Sequence, residues 1–123
     1  MENNKFSGIV IRGKNRGKKL GYPTANVLIE AIFKEGVYVS ETVIDKKKLQ
    51  SITFIGNAKT FNEHDYQSET YILDFNRDIY DQKIEVKLLK KIRDNQKFES
   101  VDALILQMKK DEEEARKYLN EYV

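Results

Sequence analysis

The 123-residue sequence has no cysteine and no tryptophan, a single proline and a single histidine. Without cysteine, disulfides and thiolate metal sites are excluded. No hydrophobic run approaches the roughly 20 residues that a membrane-crossing helix needs. The opening Met1-Glu2-Asn3-Asn4-Lys5 lacks the apolar stretch of a secretory signal. A single domain over 1–123, located in the cytoplasm, is the expectation. An excess of charge of either sign is also lacking. The net value is +2, too small to make a dedicated nucleic-acid binder the first reading. A monomer with neither nucleic-acid nor membrane partners is expected.

The pattern has two regimes. Up to about residue 92 apolar side chains recur every second position. Val37, Val39 and Val43 alternate with Tyr38, Ser40 and Thr42; Ile52 and Phe54 with Ser51 and Thr53; Tyr71, Leu73 and Phe75 with Thr70 and Asp74; Ile84, Val86 and Leu88 with Glu85 and Lys87. Such alternation predicts antiparallel strands with one wet and one dry face. It places them near 6–12, 36–44, 49–56, 67–75 and 83–92, with a short one around 26–29. Closure into a small barrel would remove exposed edges; a two-layer sheet covered by a helix is the competing architecture. After Ser100, a plausible N-cap, the period becomes 3.6. Val101, Leu104, Ile105, Met108, Ala115, Tyr118, Leu119 and Tyr122 form one apolar stripe, with Glu112–Arg116 and Glu113–Lys117 as favourable pairs four apart. The helix is read as packing, with no chemistry assigned.

What glycine there is concentrates in one place. Gly13, Gly17 and Gly21 stand among Arg12, Lys14, Arg16, Lys18 and Lys19, with no acid between Arg12 and Lys19. Glycines let backbone N–H groups converge into an anion-binding nest. A Walker A ending is missing, so the segment is either a phosphate cradle or a solvated basic loop. Pro23 then biases Tyr22 to an extended form. In an extended segment Thr24 and Asn26 share a face. Two neutral hard oxygens suit Mg²⁺, which takes its other ligands from phosphates and water; the alternative is that both merely hydrogen-bond a turn.

In "SETYILDF", Glu69 shares parity with Tyr71, Leu73 and Phe75. If that row faces a barrel interior, Glu69 stands at its mouth, where partial desolvation would raise its pKa toward that of a general base. If the strand has already ended, Glu69 faces water. His64, among Asn62, Glu63 and Asp65, is read as a solvated loop residue.

Together these stretches resemble the riboflavin kinase (flavokinase) family. "RGKKLGYPTAN" is similar to its Arg-Gly-x-x-Leu-Gly-aromatic-Pro-Thr-Ala-Asn signature. "EGVYV", "FIGNAKTF", "ETYILDF" and "KIRDNQKFESVDALILQMKKD" resemble its later blocks in the same order. The resemblance implies a six-stranded antiparallel Greek-key β-barrel with a C-terminal α-helix. It also implies transfer of the ATP γ-phosphoryl group to the riboflavin 5′-hydroxyl, giving FMN and ADP. On matching positions, Thr24 and Asn26 would hold Mg²⁺ (Mn²⁺ or Zn²⁺ as alternatives) and the nucleotide phosphates. Gly13 and Lys19 would contact ATP, with Ile72, Asp74 and Tyr80 lining the nucleotide side. Glu69 would be the catalytic base, and Arg93, Gln96 and Phe98 would cover the flavin. The sequence departs from the pattern at Ala58-Lys59 and at Asn95, where the family often has an acid. It shows no counterpart of the FMN adenylyltransferase domain fused to this module in many bacterial relatives, so FAD synthesis is not expected of it. A non-catalytic flavin- or nucleotide-binding barrel is the alternative function.

Overall fold

The structure, a computed structural model, describes residues 4–11, 24–29, 33–57, 66–75 and 77–122. Gly13, Lys19, Lys59 and His64 lie outside the described residues. Six strands and one helix follow in order: β1 (Lys5–Ile9), β2 (Ala25–Ile29), β3 (Gly36–Ile44), β4 (Lys47–Asn57), β5 (Tyr66–Ile72), β6 (Lys83–Arg93) and α1 (Val101–Tyr122). All pairings are antiparallel, in the spatial order β1-β6-β3-β4-β5-β2. The run β6-β3-β4-β5 is a Greek key, three consecutive strands with the fourth returned beside the first. The two outer strands come together where the Ile11 N–H donates to the Asn26 carbonyl at 2.8 Å. The sheet is thus a nearly closed barrel.

Local chemistry explains the joints. Asp45 and Lys46 both adopt positive φ (51° and 69°), the two-residue turn whose twist matches the hairpin of β3 and β4. Gly36 has φ 150°, and a Cβ there would come within 2.9 Å of the Arg93 carbonyl oxygen. Glycine therefore lets the start of β3 lie close against the end of β6. Ser100 caps α1, its Oγ accepting from the Ala103 N–H at 3.1 Å.

The alternation delimits the strands well, but its faces are reversed on β3, β4 and β5. The hydroxyl-bearing row, Ser40, Thr42, Ser51, Thr53, Ser68 and Thr70, is fully buried inside the barrel. It packs beside an apolar interior of Val10, Ala25, Val27, Ile29, Ile44, Ile55, Ile72, Ile84, Val86 and Leu88. The row containing Val37, Val39, Ile52, Phe54, Tyr71 and Leu73 lies outside and packs against Ala115, Tyr118 and Leu119 of α1. The cause is steric and polar together. A narrow barrel accepts small side chains, and hydroxyls are buried cheaply when they bond one another. The larger apolar residues find their cover under the helix. On β6 the expected inward row, Ile84, Val86 and Leu88, is the observed one. Strand β5 ends at Ile72, short of Phe75, because Asp74 turns the chain with φ 57°.

Candidate active site

The strand register assembles most of the site as one transverse row on the outer face. Asn26 is opposite Glu69, Glu69 opposite Phe54, Phe54 opposite Val37, and Val37 opposite Arg93. Directly opposed residues hold their Cβ atoms about 4.5–5.5 Å apart, so β2, β5, β4, β3 and β6 deliver five side chains to one band.

Two cavities flank this band. The first, about 350 Å³, is lined by Thr24, Ala25, Thr70, Ile72, Asp78 and Tyr80, with Val10, Phe75, Arg77 and Ile79. The second, about 380 Å³, lies between the outer face of the barrel, the segment after β6 and the first half of α1. Thr24, Phe54, Glu69, Arg93, Gln96 and Phe98 line it, with Val37, Ile55, Gly56, Asn95, Leu104 and Met108. Thr24 borders both, and its hydroxyl lies 3.5 Å from Glu69 Oε1. The two spaces therefore meet at a hydroxyl beside a carboxylate.

Glu69 is exposed, on the outer row with Tyr71. This corrects the expectation of an inward-facing acid at a barrel mouth; the acid stands at an exposed edge of the second cavity. Asn26 is buried, its Nδ2 donating to the Thr24 carbonyl at 3.4 Å and its Oδ1 accepting from Gln67 Nε2 at 2.5 Å. An amide oxygen has two lone pairs, so one remains beyond Gln67. Among the described residues no group of three or more His, Cys, Asp or Glu gathers to hold a metal ion. A cation here would rest on the Thr24 and Asn26 oxygens and draw its other ligands from a bound polyphosphate and water. That is the donor set Mg²⁺ accepts, and the residues fit it.

Among the sequence-predicted residues, Ile72 and Tyr80 border the first cavity, Glu69, Arg93, Gln96 and Phe98 the second, and Thr24 both. Asn26 lines neither, and nor does Asp74. Asp74 is exposed, and Arg116 of α1 grips it bidentately at 3.0 and 3.1 Å. That hydrogen bond and the guanidinium charge lower its pKa below the usual carboxylate value, and the two carboxylates of Asp74 and Glu112 raise that of Arg116.

Arg93 does more than border a cavity. Its Nε and one terminal nitrogen donate to both oxygens of Asp111 at 2.8 Å, and Gln107 adds a bond to Asp111 Oδ1 at 3.0 Å. Asp111 is 2% exposed. The other face of the guanidinium approaches the Phe98 ring at 5.9 Å. Asp111 was not anticipated as part of this site. Its signal was a carboxylate in register with the apolar stripe, three residues after Met108 and four before Ala115. Asn95 donates to the Ile55 carbonyl at 3.0 Å, which an ionised acid at that position could not do.

Residues 1–119 match the family described as Flavokinase, riboflavin kinase. The chain is 36% identical over 115 residues to a bifunctional riboflavin kinase/FMN adenylyltransferase of Listeria monocytogenes, covering 90% of this chain and 37% of that protein. A solved structure titled macrolide-efflux protein from Streptococcus pneumoniae superposes with TM-score 0.84 at 39% identity, over 91% of this chain and 38% of that one. Riboflavin kinase from Trypanosoma brucei has the same fold, with TM-score 0.64 at 22% identity, over 94% of this chain and 79% of that one. The nearly closed six-stranded barrel with its C-terminal helix is the fold of that class, and the chain belongs to the riboflavin kinase (flavokinase) family. It spans 16% to 47% of the length of such curated relatives. No helix among the described residues is long and apolar enough to cross a membrane.

Proposed function

We propose that this chain forms a single kinase unit that moves the γ-phosphoryl group of ATP to the 5′-hydroxyl of riboflavin, yielding FMN and ADP. The observation that carries this reading is the junction at Thr24, where two cavities meet beside the Glu69 carboxylate. The nucleotide occupies the first cavity, against Ile72 and Tyr80. The flavin occupies the second, where Phe54 and Phe98 supply aromatic surface and Leu104 and Met108 an apolar floor. Gly13 and Lys19, outside the described residues, are assigned to ATP by the family positions they match.

In this arrangement Glu69 accepts the proton of the riboflavin 5′-hydroxyl as its oxygen bonds to the γ-phosphorus. The bond from that phosphorus to the β,γ-bridging oxygen breaks, and the electron pair leaves with ADP. A well-placed general base contributes about 10²–10⁴-fold. Thr24 and Asn26 would hold Mg²⁺, with Mn²⁺ or Zn²⁺ as alternatives; bound there, the cation would neutralise charge on the phosphate oxygens. The chemistry is otherwise positioning, which the strand register supplies. Asp111 acts through Arg93, fixing its guanidinium against Phe98 at the rim of the flavin cavity. We further place the activity in the cytoplasm, in keeping with a chain that contains no cysteine. The test is to incubate the chain with riboflavin, ATP and Mg²⁺ and follow FMN by chromatography; flavin left unphosphorylated while both substrates bind would overturn the reading.

A further inference from the structure

The barrel interior holds a chain of hydroxyls that the phosphoryl-transfer reading does not use. Thr42 Oγ1 lies 2.8 Å from Ser51 Oγ, which lies 2.7 Å from Ser40 Oγ. Ser40 Oγ lies 2.8 Å from Thr53 Oγ1, which lies 2.9 Å from Thr70 Oγ1. Ser68 stands apart, donating to the Val27 carbonyl at 3.1 Å.

Donor counting and burial together make this chain directional. Five hydroxyls carry five protons, and the four bonds between them consume four. One proton must be donated outside the chain. The surplus donor could fall on any of the five, but Ser40, Ser51 and Thr53 are fully buried and among the described residues their side chains bond only within the chain, so the choice is between its ends, which are not equivalent. Thr42 is fully buried, and Ser51 is its one side-chain hydrogen-bond partner among the described residues. Thr70 lines the first cavity. A surplus donor at Thr42 would be orphaned, the costly outcome for a buried polar group. Thr70 is itself only 1% exposed, but it is the one member of the chain that borders either cavity, so a surplus donor there has an outlet. Each hydroxyl in such a run also polarises the next.

We infer that the buried hydroxyls run from Thr42 to Thr70 and export one hydrogen-bond donor into the first cavity, where Thr70 binds an acceptor atom of the nucleotide. The inference rests on the nucleotide occupying that cavity. It deepens that reading by adding Thr70 as a neutral donor, set by the barrel core, to the residues that meet the nucleotide. Thr70 is opposite Ala25 on β2 and next in sequence to Glu69. One strand thus presents a donor to the nucleotide on its inner face and a proton acceptor to the flavin on its outer face.

The experiment is calorimetric titration of a non-hydrolysable ATP analogue with Mg²⁺, and separately of riboflavin, into the wild-type chain, Thr70→Val, Thr70→Ser and Thr42→Val, with melting temperatures for each. Thr70→Val weakens analogue binding about three- to tenfold and leaves riboflavin binding unchanged, while Thr70→Ser restores the analogue. Thr42→Val leaves analogue affinity within about twofold and lowers the melting temperature, because it removes a donor from the head of the chain. Unchanged analogue affinity in folded Thr70→Val overturns the inference. So does a raised melting temperature in Thr42→Val, the signature of relieving an orphan at that end. Should Thr70→Val not fold, Thr70→Cys, with its weak thiol donor, carries the same prediction in the same direction. A wild-type chain that binds no analogue contradicts the kinase reading itself, separately from these outcomes.

Discussion

Asn26 and Glu69 face each other directly across β2 and β5. A neutral amide held by Gln67 and an exposed carboxylate thus share one band of the outer sheet, with the Thr24 hydroxyl between two cavities beside them. This pairing separates the two tasks of phosphoryl transfer. The neutral oxygens suit a cation carrying phosphates, and the acid suits a hydroxyl that must lose a proton.

Thr24→Val and Asn26→Leu are expected to weaken binding of Mg·ATP about tenfold or more while changing riboflavin binding far less, since each variant removes a polar ligand from the nucleotide side. Calorimetric titration of each ligand separately checks this. An equal loss for both ligands would assign these residues to folding.

Asp111→Ala removes a buried carboxylate and leaves the Arg93 guanidinium without its bidentate partner. Breaking such a pair costs about 3–5 kcal/mol when both members are deeply buried. Arg93 retains some exposure, so the lower end is expected, measured by urea unfolding. Because Arg93 and Phe98 border the flavin cavity, the KM for riboflavin should rise more than the KM for ATP. A purely structural role would move both equally.

The bond from Arg116 lowers the Asp74 pKa. A carboxylate whose folded pKa is depressed contributes stability above its unfolded pKa, and this is lost as pH falls from about 4 through the lowered folded value. Asp74→Asn should therefore lose this contribution at neutral pH, converge with wild type below the folded pKa, and so flatten the acid limb of stability against pH. Its KM for ATP should match wild type, since Asp74 lines neither cavity. A raised KM would instead return Asp74 to the nucleotide, as the family signature suggests.

Much of this architecture is legible in the letters. Period-two alternation finds β3 to β6, the strands expected near 6–12 and 26–29 overlap β1 and β2, and the 3.6 period with Ser100 finds α1. Alternation does not say which row lies inside. Where a helix covers the outer face, both rows are buried, and Ser40, Thr42, Ser51 and Thr53 are as dry as Val37 and Ile52. A polar row reads as wet when its hydroxyls need water; here the hydroxyls satisfy one another. Reading the polar row as wet turns Glu69 inward, whereas the register places it on the outer face opposite Asn26. Asp111 escaped for a different reason. A single acid within an apolar stripe carries no sign of its partner, and Arg93 is 18 residues away. The Asn26-to-Arg93 row spans five strands, so only the register reveals it.

The most direct measurement is FMN formation by Glu69→Gln at saturating riboflavin and Mg·ATP, alongside riboflavin binding to the same variant. The account predicts unchanged flavin affinity and a turnover reduced by about 10²-fold or more. Turnover equal to wild type, with flavin bound normally, would contradict Glu69 as the proton acceptor and the two-cavity junction as the place of transfer.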